Sequence, residues 1–359
     1  MIMSWNLSSH FHQHQSVQRL DELIAGKSIT DLEALSPGAL KEIIKVAQLA
    51  NIIIPVEYGG QGKNLIEALD ILQYVAKRSP SLGIILCMHY HVVATIVAVP
   101  QYFAFSDTLL RDVATHNKLL ASAFAEGTPN LDIFTSSVKV TALGNGKLSI
   151  SGFKKPCTMA GIADYYAVSV VGDDDLKGVA VIDGRLPGIS QKPFWPSPLL
   201  KAADSNQVLF DRVEIPETWA LLADEASMTG VLSIGLAMFN LMINVAYTGV
   251  SAALTEKLPV EIASQKHLYI DIYGKLLQSY YSAVGLALRL DDIEQLENTL
   301  NQILVLRYQN QMTLKNLVGL ISEHVGSYVY LSDPEFALLA SISNLISFHP
   351  LNRKTYENS

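Results

Sequence analysis

Apolar residues recur at helical spacing over the opening third of the chain. Leu20, Leu23 and Ile24 share one face, and Leu40, Ile43, Ile44 and Ala47 repeat the spacing further on. Ser36-Pro37-Gly38 reads as a helix start, with Ser36 as N-cap and Pro37 at the first helical position, where a missing N–H does no harm. Leu65 to Ala76 and Ile84 to Val99 predict further helices, divided at the breaker Ser79-Pro80-Ser81. Near Leu119 the period shortens to two. Val138 to Ala142 and Lys147 to Ser151 alternate about Gly144-Asn145-Gly146, residues that tolerate positive φ, which predicts a hairpin. Tyr165 to Val171, Gly178 to Ile182 and Gln207 to Phe210 add strands. After Ile215-Pro216-Glu217 the helical period returns through Leu268 to Leu290, Asp292 to Val318 and Glu335 to Ser347, a pattern that predicts an antiparallel bundle. The fold class is therefore α+β in three segments: helices over 1–117, a small β domain over 118–221 and a helical bundle over 222–359.

Composition narrows the function classes. The chain of 359 residues carries 26 basic and 34 acidic side chains, net −8, with no basic cluster interleaved with aromatics, so a surface that tracks nucleic-acid phosphates is not expected. Cys87 and Cys157 stand far apart and in no metal-like spacing, which points away from a disulfide framework or zinc site and towards a reducing cytoplasm. The stretch Val231 to Leu254 has no charged residue and is long enough to span a bilayer. Ser233, Asn240, Asn244, Tyr247, Thr248 and Ser251 interrupt it, and no basic cluster flanks it, so it reads as a buried core or oligomer-interface helix, with no membrane span. The first sixteen residues lack a basic segment followed by an apolar one and do not read as a signal peptide. His10, His12 and His14 alternate in a polar stretch that reads as a mobile tail; His89 and His91, two apart on a helix, point away from each other and read as satisfied or pocket-wall histidines, so no metal site is expected.

Ile54-Pro55-Val56-Glu57-Tyr58-Gly59-Gly60-Gln61-Gly62 resembles the P-x-x-Y-G-G-x-G turn of the acyl-CoA dehydrogenase superfamily, and further landmarks follow in that family's order. Ala123-Phe124-Ala125-Glu126-Gly127-Thr128-Pro129 then Asn130-Leu131-Asp132 is similar to the strand A-x-T-E-P and turn G-x-G-S-D, with Ala125 where the family has a flavin-binding threonine. Gly152 to Ala160, then Ala163-Asp164, resembles G-x-K-x-W-I-T-N-G and its A-D. Thr158 falls on the flavin-contacting threonine, beside Cys157, and Pro156 on the tryptophan that covers the ring. The arginine of R-x-x-F-G is missing from Thr255 to Gln265, and Ser322 to Tyr328, including Gly326, stands for the Q-x-L-G-G-x-G-Y loop. The resemblance implies an N-terminal helical domain, a middle small β-barrel domain and a C-terminal bundle. It also implies a flavin held by Phe124, Ala125, Glu126, Pro156, Cys157, Thr158, Ser322 and Gly326, and a homotetramer or homodimer. FAD is the family's cofactor; FMN, or no flavin, is compatible with the departures at the diphosphate and adenine contacts.

His349-Pro350 falls where family members carry the catalytic glutamate and its glycine, and no carboxylate stands near Met238-Phe239, the other place for a base. The main expectation from the resemblance is α,β-dehydrogenation of an acyl thioester, carried by coenzyme A or an acyl-carrier protein, with hydride transfer to flavin. His349 is then the candidate general base, since a neutral imidazole can accept a proton near pH 7. The alternatives are the oxygen-using branch of the fold, a flavin-dependent monooxygenase that needs no carboxylate base, and a non-redox binding or scaffold protein.

Overall fold

The computed structural model describes residues 14–127, 135–173, 176–290 and 296–357. His10, His12, the turn from Thr128 to Asp132 and the start of the expected helix at Asp292 lie outside the described residues. Helices α1 (Gln15–Leu23), α2 (Ile29–Glu33), α3 (Pro37–Ala47), α4 (Leu65–Arg78), α5 (Pro80–Ala98) and α6 (Ser106–His116) come first. Strands β1 (Leu120–Ala123), β2 (Lys139–Gly144), β3 (Lys147–Cys157), β4 (Tyr165–Val171), β5 (Lys177–Asp183), β6 (Ile189–Lys192), β7 (Asn206–Pro216) and β8 (Ala220–Ala223) follow. Helices α7 (Glu225–Thr255), α8 (Val260–Ala263), α9 (Lys266–Ala287), α10 (Leu296–Ser332), α11 (Pro334–Ser343) and α12 (Arg353–Glu357) complete the α+β order.

By contact density the chain divides into two compact units. One comprises Ser36–Lys63 and Met88–Phe239, the other Met1–Leu35, Asn64–Cys87 and Asn240–Ser359.

The first unit holds the sheet, in the order β6-β7-β3-β2-β4-β5-β8, with β1 added in parallel to β4. The β2–β3 hairpin turns through Gly144, Asn145 and Gly146, all at positive φ. Edge strands β6 and β8 escape the sequence pattern because they are four residues long, β6 largely exposed and β8 half-buried throughout, so no apolar face alternates along them. In the same unit the glycine-rich turn closes on itself: the N–H groups of Gly60 and Gly62 donate to Pro55 O at 3.2 Å and Ile54 O at 2.9 Å. A Cβ at Gly60 would lie 2.0 Å from Ile54 O, so no other residue fits there. Tyr58 donates to Asp107 on α6 at 2.9 Å, and Arg111 on α6 donates to Glu57 O at 2.7 Å, fastening the turn to that helix.

The second unit is helical. Ser79 alone breaks α4 from α5, and half-buried Glu33 accepts from Ser79 Oγ (2.9 Å) and Ser81 N (2.8 Å), satisfying donors at the start of α5. The bundle packs tightly where α7 meets α4, since a Cβ on Gly249 would stand 2.2 Å from Gln73 O. Helix α10 runs fourteen residues past the expected end at Val318 and is broken only at Gly326, where φ is 78°. Helices α5 and α7 are long and apolar enough to cross a membrane, but 89% and 61% of their most apolar windows are buried inside the protein, as core helices are.

Candidate functional site

In the sheet unit, β1 continues as Phe124-Ala125-Glu126 alongside the end of β3. Lys155 N–H donates to Ala125 O at 2.8 Å, and Lys154 Nζ reaches Phe124 O at 3.4 Å. Among the described residues, neither the Phe124 nor the Ala125 amide finds a backbone acceptor. Thr158 lies one residue beyond β3, half-buried, with its Oγ1 3.0 Å from Ser205 Oγ. Main-chain donors on this strand and a hydroxyl just past the end of β3 are the kind of groups that meet the polar edge of a flavin ring, without the missing threonine side chain at Ala125. Pro156 is half-buried next to them. Cys157 is fully buried, and burial pushes its thiol up to about 12, so it stays protonated and unreactive.

Glu126 is engaged otherwise than by a ligand. Its carboxylate accepts from Lys154 Nζ at 2.5 Å and Ser137 N at 2.7 Å, and Lys154 also donates to Ser169 Oγ at 2.8 Å and Ser136 Oγ at 2.9 Å. Burial opposes ionisation of Glu126, but these donors outweigh it and hold the carboxyl below its ordinary value. The pair is a buried strut between β1, β3 and β4.

The two histidines of α5 divide in role. His89 is saturated: its Nε2–H donates to Ala50 O (2.7 Å) and its Nδ1 accepts from Leu120 N–H (3.0 Å), and burial pushes its pKa down to about 4. His91, on the other side of the helix, places Nε2 3.1 Å from Ser122 Oγ on β1 and packs edge-on against Phe239 at 5.4 Å. This imidazole–hydroxyl pair sits two residues before Phe124. The sequence leaves His91, like His89, as a satisfied or pocket-wall histidine; its pairing with Ser122, thirty-one residues on, sets it apart.

In the helical unit, His349 ends the 3-10 turn Asn344–Phe348, as a residue before Pro350 would, and its ring turns to α7. Its Nε2 is 2.7 Å from Tyr247 Oη. Tyr247 is fully buried and this is the partner of its hydroxyl among the described residues, so the phenol donates, Nε2 accepts, and the ring carries its proton on Nδ1. Burial, and secondly the Arg307 cation, push the His349 pKa down to about 3, so the imidazole is neutral at any physiological pH. No carboxylate stands at this position, and a ring that resists protonation this strongly is a weak base.

Ser322 and Gly326 also belong to the helical unit. Ser322 Oγ donates to Val318 O within its own helix at 2.7 Å, and Gly326 is exposed at the break in α10. The structure thus gathers Phe124, Ala125, Glu126, Pro156, Cys157 and Thr158 around the β1–β3 edge, and places His349, Ser322 and Gly326 in the other unit.

A scan against protein-family profiles finds no match. Isobutylamine N-hydroxylase of Streptomyces viridifaciens is 30% identical over 319 residues, 85% of this chain and 83% of that protein. An acyl-CoA dehydrogenase of Bacillus subtilis (strain 168) is 26% identical over 212 residues, covering 57% of this chain and 52% of that protein. Among solved structures, dibenzothiophene monooxygenase TdsC of Paenibacillus sp. A11-2, in complex with FMN and indole, superposes with a TM-score of 0.82 at 17% identity over 96% of both chains. These findings correct the expectation of thioester dehydrogenation, and with it of acyl-CoA or acyl-carrier-protein as substrate. Similarity extends over most of the chain to an N-hydroxylase but over little more than half of it to a dehydrogenase. The oxygen-using alternative is the one supported. The chain belongs to the acyl-CoA dehydrogenase-like superfamily of flavoproteins, in the same family as isobutylamine N-hydroxylase.

Proposed function

We propose that this protein is a flavin-dependent monooxygenase that hydroxylates the nitrogen of a small aliphatic primary amine, using FMN supplied to it in reduced form. The observation that carries the reading is the 30% identity to isobutylamine N-hydroxylase over 85% of the chain. One oxygen atom of O2 is added to the amine nitrogen and the other leaves as water, with two electrons and two protons supplied from outside. Bound reduced flavin provides the electrons that activate dioxygen. The chain's own residues bind and orient. The amides of Phe124 and Ala125 with the Thr158 hydroxyl are the donors for the ring edge, while His91 and Ser122 hold an exchangeable proton between Nε2 and Oγ, 3.1 Å apart. His349 belongs to the other unit and is assigned no contact with the amine; it is neutral and fixed by Tyr247.

FMN is preferred to FAD because the departures fall on the parts that only FAD has. The arginine that would meet its diphosphate is absent from Thr255 to Gln265, and the Ser322 hydroxyl is turned back onto Val318 O.

The test supplies the purified protein with FMN, NADH and a separate flavin reductase under air, together with isobutylamine and a series of C3–C6 primary amines. Hydroxylamine formation that stops when the reductase is omitted is the expected result. Anaerobic bleaching of bound flavin by an acyl thioester, or no hydroxylamine from any amine in the series, overturns it.

A further inference from the structure

Arg307, in the middle of α10, is completely buried and has no carboxylate partner among the described residues. Its two Nη groups are held by neutral oxygens, while Nε finds no acceptor among the described residues. Nη1 donates to Asn240 Oδ1 at 2.7 Å and Pro350 O at 2.7 Å, and Nη2 donates to His349 O at 2.7 Å and Ile346 O at 3.3 Å. Three of the four acceptors are carbonyls at the end of the Asn344–Phe348 turn, where a helix runs out of its own N–H donors and where a positive charge is favoured. The fourth, Asn240, lies on α7 two turns before Tyr247, which holds the His349 ring. Tyr308, next to Arg307, continues the arrangement by donating to Leu351 O at 2.9 Å. An isolated buried cation is expensive, and a planar group with five donors is the side chain able to span these acceptors.

We propose that Arg307 is a positioning residue: it ties the main chain of residues 346–350 to α7 and α10, and so keeps the His349 ring on Tyr247 as a neutral group with its proton on Nδ1. The groups facing His349 are consistent with this. Tyr247 on α7 meets the ring and Arg307 on α10 contributes one positive charge, while Cys87 on α5 and Tyr308 on α10, which interact with Arg307, are like Tyr247 raised by burial and stay neutral. That cation and burial act in the same direction on the imidazole.

The role of Arg307 in catalysis rests on the proposed oxygenation, but its role as a positioning residue can be read without turnover. Full-length protein is labelled with histidine carrying 13C at Cε1 and Cδ2, the His349 signals are assigned by their loss in His349→Gln, and the sample is titrated between pH 4 and 8. In the native protein these signals are expected at Nδ1–H positions and constant throughout. In Arg307→Met the segment is released and the ring hydrated, so the His349 signals titrate with a midpoint inside that range. Arg307→Lys keeps the charge but cannot span four acceptors, so the ring stays neutral while both tautomers appear. A native His349 that titrates near 6.5, or Arg307→Met signals indistinguishable from native ones, overturns the proposal. Should Arg307→Met not fold, Tyr247→Phe decides: Arg307 is still present, so His349 must remain untitrated, and titration there would assign the control to Tyr247 instead. If the spectra behave as expected and no amine is hydroxylated by the native protein, the assigned reaction fails and the positioning role stands. A pH limb in amine turnover that appears only in Arg307→Met, at the midpoint seen in the spectra, joins the two.

Discussion

Among the described residues, Lys154 in the sheet unit and Arg307 in the helical unit are completely buried, and the two are satisfied in different ways. Lys154 meets a carboxylate, Glu126, at 2.5 Å, with the hydroxyls of Ser136 and Ser169 filling its other positions. Among the described residues Arg307 meets no carboxylate, and its acceptors are three carbonyls and an amide oxygen. A charge matched by an opposite charge exerts little field on its neighbours and braces strands. A charge matched only by dipoles keeps its field, and here that field acts on His349. The difference separates a structural strut from a group able to tune a site.

The largest effect expected from breaking this contrast is at the strut. Glu126→Ala leaves a buried ammonium without its partner, and a destabilisation of about 3–5 kcal/mol is expected in urea unfolding. Replacing both partners, Glu126→Leu with Lys154→Met, is expected to restore most of it. A cost under about 1 kcal/mol for the single change would show that the pair is not the brace described here.

Next comes acid sensitivity. His89 has a folded pKa of about 4 against about 6.5 unfolded, so its contribution is fully present above pH 6.5 and is lost as pH falls towards 4. The loss amounts to about 3 kcal/mol by linkage. His349 acts with the same sign towards about 3. Glu126, also depressed, gives up its contribution at lower pH, below the unfolded carboxyl value near 4.3. Stability measured against pH should therefore begin to fall near 6.5, and His89→Gln should flatten the curve between 6.5 and 4; an unchanged slope in that variant would remove His89 from the account.

Arg307→Met is expected to cost less than Glu126→Ala, about 1–3 kcal/mol, because it leaves unpaired carbonyls in place of an unpaired charge. A larger loss than at Glu126 would reverse the contrast. The smallest effect is at the flavin donors. Thr158→Ala should leave unfolding within about 0.5 kcal/mol of native and weaken FMN about fivefold, the scale of one hydrogen bond, as read by flavin fluorescence quenching. Equal affinity for FMN in the variant would move the ring edge away from Thr158.

The local parts of this molecule were legible in advance. Ser36 caps α3 by accepting from Ala39 N at 3.2 Å, the β2–β3 hairpin turns at its glycines, and the Pro55-to-Gly62 turn closes through bonds spanning a dozen residues or fewer. Periodicity also separated helices from strands, because amphipathic burial repeats with each element's own geometry. Edge strands β6 and β8 and the extension of α10 past Val318 were not legible, since weak alternation and one glycine leave pattern alone undecided.

The reaction was less legible than the fold. A histidine at position 349 is compatible with a base, an inert cap or an oxygenase contact, and one fold hosts all three. The sequence by itself determined the α+β order, the glycine turn and the absence of a carboxylate at the dehydrogenase position, all properties of residues close in the chain. Tertiary structure alone decided that Glu126 is held by Lys154, that His89 is saturated while His91 meets Ser122, and that Tyr247 and Arg307 act on His349 from 102 and 42 residues away. Proton affinity depends on what lies within a few ångströms in space, and no spacing along the chain encodes that distance.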